Sequence, residues 1–354
     1  MKRQKLRDLG VKIGKLPTGE KNCITDVGSV RVGHVTLKED GSRGEVIRTG
    51  VTAILPHGGN LFRQKVSAAS FVINGFGKTT GLVQLDELGQ IESPIMLTNT
   101  FGVPAVTEGT LLHMLEKTPE IGDTTGTINI VVGECNDSYL NSIRQLPVKR
   151  EHAIEAIEGA SRKAIEEGAV GAGTGMVCFG YKGGIGSSSR IVKYENEAFT
   201  VGCLVLSNFG KREDFRGWQY KIEEGKAEIP EPDYTTDGSI MMIIATDAPL
   251  SERQLKRVAK RTAMGLGRAG GHASHGSGDI AIAFSTAMTT EHVTEKVCES
   301  KSHLREDTAL MNQLFQATAE VSEEAILNSL TKATTTDGRN GRVVEEMPYH
   351  IFKK

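Results

Sequence analysis

Residues 235–247 read Thr-Thr-Asp-Gly-Ser-Ile-Met-Met-Ile-Ile-Ala-Thr-Asp: a polar loop end that passes, at Ser239, straight into an apolar strand. A continuous apolar run bounded by turn residues is the pattern of a strand covered on both faces, as in the interior of a layered α/β sheet. The pair Gly238-Ser239 at the mouth of that strand admits two readings. As structure, Gly-Ser is ordinary turn punctuation. As chemistry, the Ser239 hydroxyl is placed to attack the Gly238 carbonyl, giving an ester that water hydrolyses. Ser239 would then be a new chain start carrying both a nucleophile and an α-amine that titrates near about pH 8 and serves as a base.

Similar runs lie on both sides of this segment. Strands are predicted at Ser29–Leu37, Val51–Pro56, Ala68–Asn74, Ile95–Asn99, Ile128–Gly133, Gly175–Tyr181, Phe199–Ser207, Ser239–Thr246 and Asp279–Ser285. Apolar residues at helical spacing predict a helix over Glu151–Glu167, stopped by Gly168. Another follows Ser251 as N-cap, with Leu255, Val258, Ala259, Thr262 and Leu266 on one side, and a long one spans Leu304–Leu330. Lys256, Arg257, Lys260 and Arg261 read as the solvated face of the second. The charged segment Lys211–Gly238, with Pro230 and Pro232, reads as a long exposed loop between two core strands. Layered α/β sheets with helices outside follow from this order.

Composition narrows the function classes. At 354 residues the chain has ample length for a large core, and a net charge of -2 gives no electrostatic case for nucleic acid or an anionic membrane. No run approaches the ~18 apolar residues of a membrane span. The basic opening Lys2–Arg7 meets Asp8-Leu9-Gly10 rather than an apolar run; it reads as a solvated terminus and not a secretory signal. Five scattered cysteines without CxxC spacing argue for a reducing compartment, the cytoplasm by default, and against a disulfide framework or cysteine-zinc site. Glycines cluster at Gly168–Gly175, Gly180–Gly186 and Gly265–Gly278, which implies tight loops and close backbone approach.

Besides Gly238-Ser239, two places can carry chemistry: the loop Gly270–Asp279, which opens directly into a strand, and Leu206-Ser207-Asn208-Phe209-Gly210, where an amide closes one. His272, His275 and Asp279 are metal-ligand types, though an i, i+3 histidine pair in a glycine loop lacks a helix to fix it. Gly183-Gly184-Ile185-Gly186 with Ser187–Arg190 resembles a phosphate cradle, but without the Walker lysine or a Rossmann context a tight turn is the simpler reading. Asn208 is either a strand-end cap or a donor to a developing oxyanion.

Taken together, several segments resemble the L-aminopeptidase D-Ala-esterase/amidase and β-peptidyl aminopeptidase family. They are Ile24–His34, Arg48–Pro56, Gly168–Met176, Gly238-Ser239 through Leu250, and Asp279–Thr286, in that order, over roughly four-fifths of the chain. The resemblance implies a four-layer αββα sandwich, similar in layers to the N-terminal-nucleophile hydrolases but with different connectivity. It also implies one catalytic domain, 1–354, made as a precursor and self-cleaved into 1–238 and 239–354. Ser239 matches the family nucleophile, Ser277 and Asp279 the residues that support it, and Asn208 the oxyanion-stabilising asparagine. Asp279 stands where some relatives have glutamate. Glu134, in Val132–Asp137, matches the carboxylate that holds a substrate's ammonium group. Asn136 aligns with a tyrosine that assists the oxyanion in some relatives, with Tyr139 as an alternative donor. The implied protein is a homo-oligomeric serine aminopeptidase, often a tetramer of processed units, that needs no cofactor or metal. It would act on short peptides, amides or esters with a free amino terminus. Acyltransferases and amide-oligomer hydrolases of related fold cut before threonine; an uncleaved binding or scaffold relative is the remaining alternative.

Overall fold

The computed structural model describes residues 3–42, 44–216 and 238–352. In chain order the strands begin with β1 (Arg31–Asp40), β2 (Val46–Leu55), β3 (Gln64–Gly75), β4 (Gln90–Ile91), β5 (Ile95–Asn99) and β6 (Val131–Cys135). A hairpin of β7 (Val177–Cys178) and β8 (Tyr181–Lys182) leads into β9 (Gly184–Tyr194) and β10 (Glu197–Asn208). β11 (Ser239–Thr246), β12 (Gly278–Glu291) and the short pair β13 (Thr336–Asp337) and β14 (Val343–Val344) follow. The α-helices are α1 (Leu82–Leu88), α2 (Val103–Lys117), α3 (Arg150–Glu158), α4 (Glu252–Ala259), α5 (Thr262–Ala269) and α6 (Ala309–Lys332).

Among the described residues, two sheets carry the fold: a smaller one in the order β1-β2-β5-β6, and a larger one in the order β4-β3-β12-β11-β10-β9. Three apolar cores separate four layers. Between the sheets, Ile54, Leu97 and Val131 pack with Leu204, Met241, Ile243 and Ile282. On the outer face of the large sheet, Ile240, Met242, Ile244 and Ala283 meet Leu255, Leu266, Leu314 and Val321 of α4 to α6. On the outer face of the small sheet, Val51, Ala53 and Met96 meet Val106, Met114, Ala153 and Ile157 of α2 and α3. The αββα sandwich expected from the sequence is therefore the architecture.

The same division explains why β11 lacks polar alternation. Successive side chains of a strand point to opposite faces; Met241, Ile243 and Ala245 enter the inter-sheet core while Ile240, Met242 and Ile244 enter the helical one. All six are fully buried. Gly133 of β6 lets the two sheets approach, since a Cβ there would lie 2.5 Å from the Met241 side chain.

Several expectations are corrected. The helix expected over Glu151–Glu167 ends at Glu158, because the chain turns at Gly159 and Ser161 then pairs with Val32 at the edge of β1. The single helix after Ser251 is two, broken around Lys260 and Arg261, and the Leu304–Leu330 helix begins at Ala309. Gly175–Tyr181 is mostly a glycine-directed turn rather than a strand. Gly184–Arg190 is neither cradle nor turn but the first part of β9. The hydroxyls of its buried serines bond the Cys203 and Val321 carbonyls and Asp26. Arg190, fully buried, bonds Glu320 at 2.9 Å and Glu324 at 2.6 Å on α6. Nor is the basic opening wholly solvated: Lys5 pairs with buried Glu167, Arg7 with buried Glu324, and Leu6 lies in the core. Lys2 and, of the expected loop Lys211–Gly238, residues 217–237 lie outside the described residues.

Candidate active site

β10 ends where its antiparallel neighbour β11 begins, and β12, parallel to β11, begins at the same level. That topology alone brings Asn208, Ser239 and Gly278 into lateral register. Ser239, 6% exposed, keeps its Oγ in contact with the main chain: the Gly278 N–H donates to it at 3.1 Å. Gly238 is held against the end of β10; a Cβ there would come within 2.3 Å of the Asn208 carbonyl oxygen and 2.4 Å of Phe209 Cα. The turn residue is thus a glycine because nothing larger fits.

Ser277 and Asp279 flank Gly278. The Ser277 hydroxyl donates to Asp279 Oδ1 at 2.6 Å. Burial raises the Asp279 pKa from 3.8 to about 6, opposed by the hydrogen bonds from Ser277 and the Ile240 main chain. A carboxylate so placed fixes the rotamer of the Ser277 hydroxyl and leaves its oxygen free to accept. A cavity of about 20 Å³ opens beside Gly238, Ser277 and Asp279.

The Asn208 side chain is clamped at both ends. Its Oδ1 accepts from the Val177 N–H at 2.8 Å, and its Nδ2 donates to the Asn136 carbonyl at 2.9 Å. An amide nitrogen carries two protons, so the clamp leaves one for another acceptor. Asn136 therefore reaches this constellation through its main chain; its side chain is exposed and its Oδ1 accepts from the Ser138 N–H. Tyr139 lies under Arg342, whose guanidinium stands 4.4 Å from the ring centre.

Glu134, 3% exposed in β6, approaches from the other sheet. Its Oε1 accepts from the Lys78 N–H at 3.0 Å and its Oε2 from the Thr100 hydroxyl. Gly77 joins it to the serine: a Cβ on Gly77 would sit 4.0 Å from Glu134 Oε1 and 3.8 Å from Gly278 Cα. A buried carboxylate held by two neutral donors and, among the described residues, by no cation retains capacity for an ammonium group.

His272 lines the same small cavity as Asp279 but is engaged by another carboxylate. His272 pairs with Asp214 at 3.3 Å, while Asp279 is engaged by Ser277, so the three possible metal ligands do not form one site. Among the described residues no group of three or more His, Cys, Asp or Glu is arranged to hold a metal ion. The partners invisible in the sequence are the main-chain N–H groups of Val177, Lys78 and Gly278, and Thr100. Backbone donors leave no residue-type signal, and only the glycine density around them marked the region.

The profile of peptidase family S58 matches residues 22–344. The chain belongs to this family. It is 40% identical, over 97% of its length and 89% of the other's, to the β-peptidyl aminopeptidase BapA of Sphingosinicella microcystinivorans. The PH0078 protein of Pyrococcus horikoshii OT3 has a similar structure, with 52% identity, a TM-score of 0.90 and coverage of 98% of this chain and 96% of that one. The L-aminopeptidase D-Ala-esterase/amidase of Ochrobactrum anthropi superposes with a TM-score of 0.90 at 32% identity, covering 98% and 96%. That enzyme is described as a prototype for the serine aminopeptidases and a variant of the Ntn hydrolase fold. This S58 member is accordingly an aminopeptidase, a hydrolase with the layered fold of that group. Among its described residues no helix is long and apolar enough to cross a membrane.

Proposed function

We propose that this aminopeptidase is made as a precursor that cuts itself between Gly238 and Ser239 and then works through an acyl-enzyme on Ser239. The observation that carries the reading is the convergence of Ser239, the Ser277–Asp279 pair and the clamped Asn208 amide at one end of three adjacent strands.

In the precursor, Ser239 Oγ attacks the Gly238 carbonyl carbon; the C–N bond breaks, and the acyl group moves to oxygen as the amine is freed. Water hydrolyses the ester, leaving 1–238 and 239–354 as two chains of one catalytic domain. The new α-amine then takes the Ser239 hydroxyl proton as Oγ attacks a substrate carbonyl. Asn208 Nδ2 donates its remaining proton to the oxyanion, an interaction worth about 3–4 kcal/mol where such donors have been removed from enzymes. Asp279 takes the one Ser277 hydroxyl proton, so Ser277 Oγ serves as an acceptor that orients the freed α-amine beside the nucleophile. Glu134 holds the substrate's ammonium, selecting short peptides, amides or esters with a free amino terminus. The leaving amine departs with the proton, and water regenerates Ser239.

Intact mass under denaturing conditions tests this directly. Two fragments meeting between Gly238 and Ser239, absent in Ser239→Ala, are expected; a single stable 38.2 kDa species would overturn self-processing. Light scattering checks the accompanying expectation of a homotetramer of processed units. A cytoplasmic address accords with the five unpaired cysteines.

A further inference from the structure

Lys182, in β8, is completely buried. Its Nζ donates to three main-chain carbonyls: Gly173 at 3.0 Å, Met176 at 2.8 Å and Gly183 at 2.8 Å. An amine has two N–H donors and an ammonium has three, so three acceptors around one nitrogen are the coordination of the charged form. Burial draws its pKa down to about 7, against the attraction of the nearby Asp137 and Cys178, while Lys38 acts in the same direction as burial. A buried lysine is costly, and the fold could close this turn with a neutral residue.

What the ammonium touches explains its presence. The Met176 carbonyl that accepts from Lys182 belongs to the same peptide group as the Val177 N–H, and that N–H donates to Asn208 Oδ1. A hydrogen-bonded series therefore runs from the Lys182 ammonium through the Met176–Val177 peptide to the Asn208 amide, and on from Nδ2 to the Asn136 carbonyl. Each bond points the same way. A cation on the peptide oxygen makes its N–H a stronger donor, and a stronger donor on Oδ1 makes the Nδ2 protons more acidic, because aligned hydrogen bonds polarise one another.

We infer that Lys182 is a positioning residue for the reaction: through the Met176–Val177 peptide it fixes the rotamer of Asn208 and polarises its amide toward the oxyanion. This rests on the assignment of Asn208 as the oxyanion donor made above. Because the oxyanion exists only in the transition state, the contribution appears in kcat and not in substrate binding.

The experiment is a double-mutant cycle on the processed enzyme with an aminoacyl amide as substrate. Lys182→Met removes charge and donors. Lys182→Gln removes the charge but keeps two N–H groups for the carbonyls, and it supplies the cycle where the methionine variant does not fold. Either variant is expected to lower kcat about 10-fold or more with KM within about twofold, and to have little further effect in an Asn208→Ala background. Additive losses from Lys182 and Asn208, or a change confined to KM or thermal stability, would overturn the inference. Failure of the underlying assignment looks different: Asn208→Ala alone would then leave kcat unchanged.

Discussion

Asn208 and Ser239 are direct register partners across the antiparallel pairing of β10 and β11. The last residue of one strand and the first of the next are thereby held side by side by the sheet's own ladder, with no loop needed to align them. Replacing Asn208 with alanine is expected to leave the fold intact and to lower kcat by about 10²–10³-fold, the usual cost of one oxyanion donor. Steady-state kinetics on a chromogenic aminoacyl amide measure this.

Gly238→Ala separates self-processing from folding. The added methyl would press on the Asn208 carbonyl and Phe209 Cα, contacts far inside van der Waals distance and made to backbone that cannot swing away. The peptide ahead of Ser239 must shift, so fragments should accumulate markedly more slowly than in wild type while circular dichroism stays native. Mass spectrometry over a time course reads the rate.

Asp279 gives a pH dependence of definite sign. Its folded pKa of about 6 lies above the ordinary 3.8, so the folded state holds a proton that the unfolded chain has released. The stability this supplies is fully present below about pH 4 and is lost as pH rises through about 6. Asp279→Asn, which mimics the protonated acid and still accepts from Ser277, should flatten that slope and raise stability at pH 8 by up to about 3 kcal/mol. Activity should fall at the same time, since a neutral amide supports Ser277 less strongly. Thermal melts from pH 4 to 8, beside kinetics, check both.

Glu134→Gln keeps the shape, with its Oε1 accepting from the Lys78 N–H and its Nε2 donating to the Thr100 hydroxyl instead of accepting from it, but it removes the charge that an ammonium needs. KM for substrates with a free amino terminus is expected to rise about 10- to 100-fold, the worth of one charge-assisted hydrogen bond. The test compares each enzyme on free and N-acetylated versions of one substrate, a preference the variant should lose.

Arg190→Met tests the buried ion cluster. Removing the cation takes the ion partner from buried Glu320 and leaves buried Glu324 to Arg7, and should cost about 3–5 kcal/mol. Denaturant titration measures the loss.

That cluster also shows where sequence reading stops. β11 is legible because both faces are apolar and its neighbours in sequence are turn residues. The Ser-Ser-Ser-Arg run of β9 is not, because what makes it a core strand is α6, some 130 residues later, whose Glu320 and Glu324 neutralise Arg190. α6 is itself buried nearly all round, including Ser322, Glu323 and Asn328, so a single apolar stripe understates it. The proposed nucleophile Ser239, the Ser277–Asp279 pair and the amide Asn208 are readable as candidates from residue type and family resemblance. The donors that aim them are main-chain groups of Val177, Lys78 and Gly278, positioned only once both sheets are closed.

The position of β11 in the middle of the large sheet carries one more consequence. It is flanked by β10 on one edge and β12 on the other, and it sends alternate side chains into two different cores. A nick at its leading residue would remove a single covalent bond from a segment fastened along its entire length. The two pieces would therefore migrate as one body in native electrophoresis and part only when the whole molecule melts. Severing the backbone there alters what Ser239 can do chemically while leaving the mechanical integrity of the protein almost untouched.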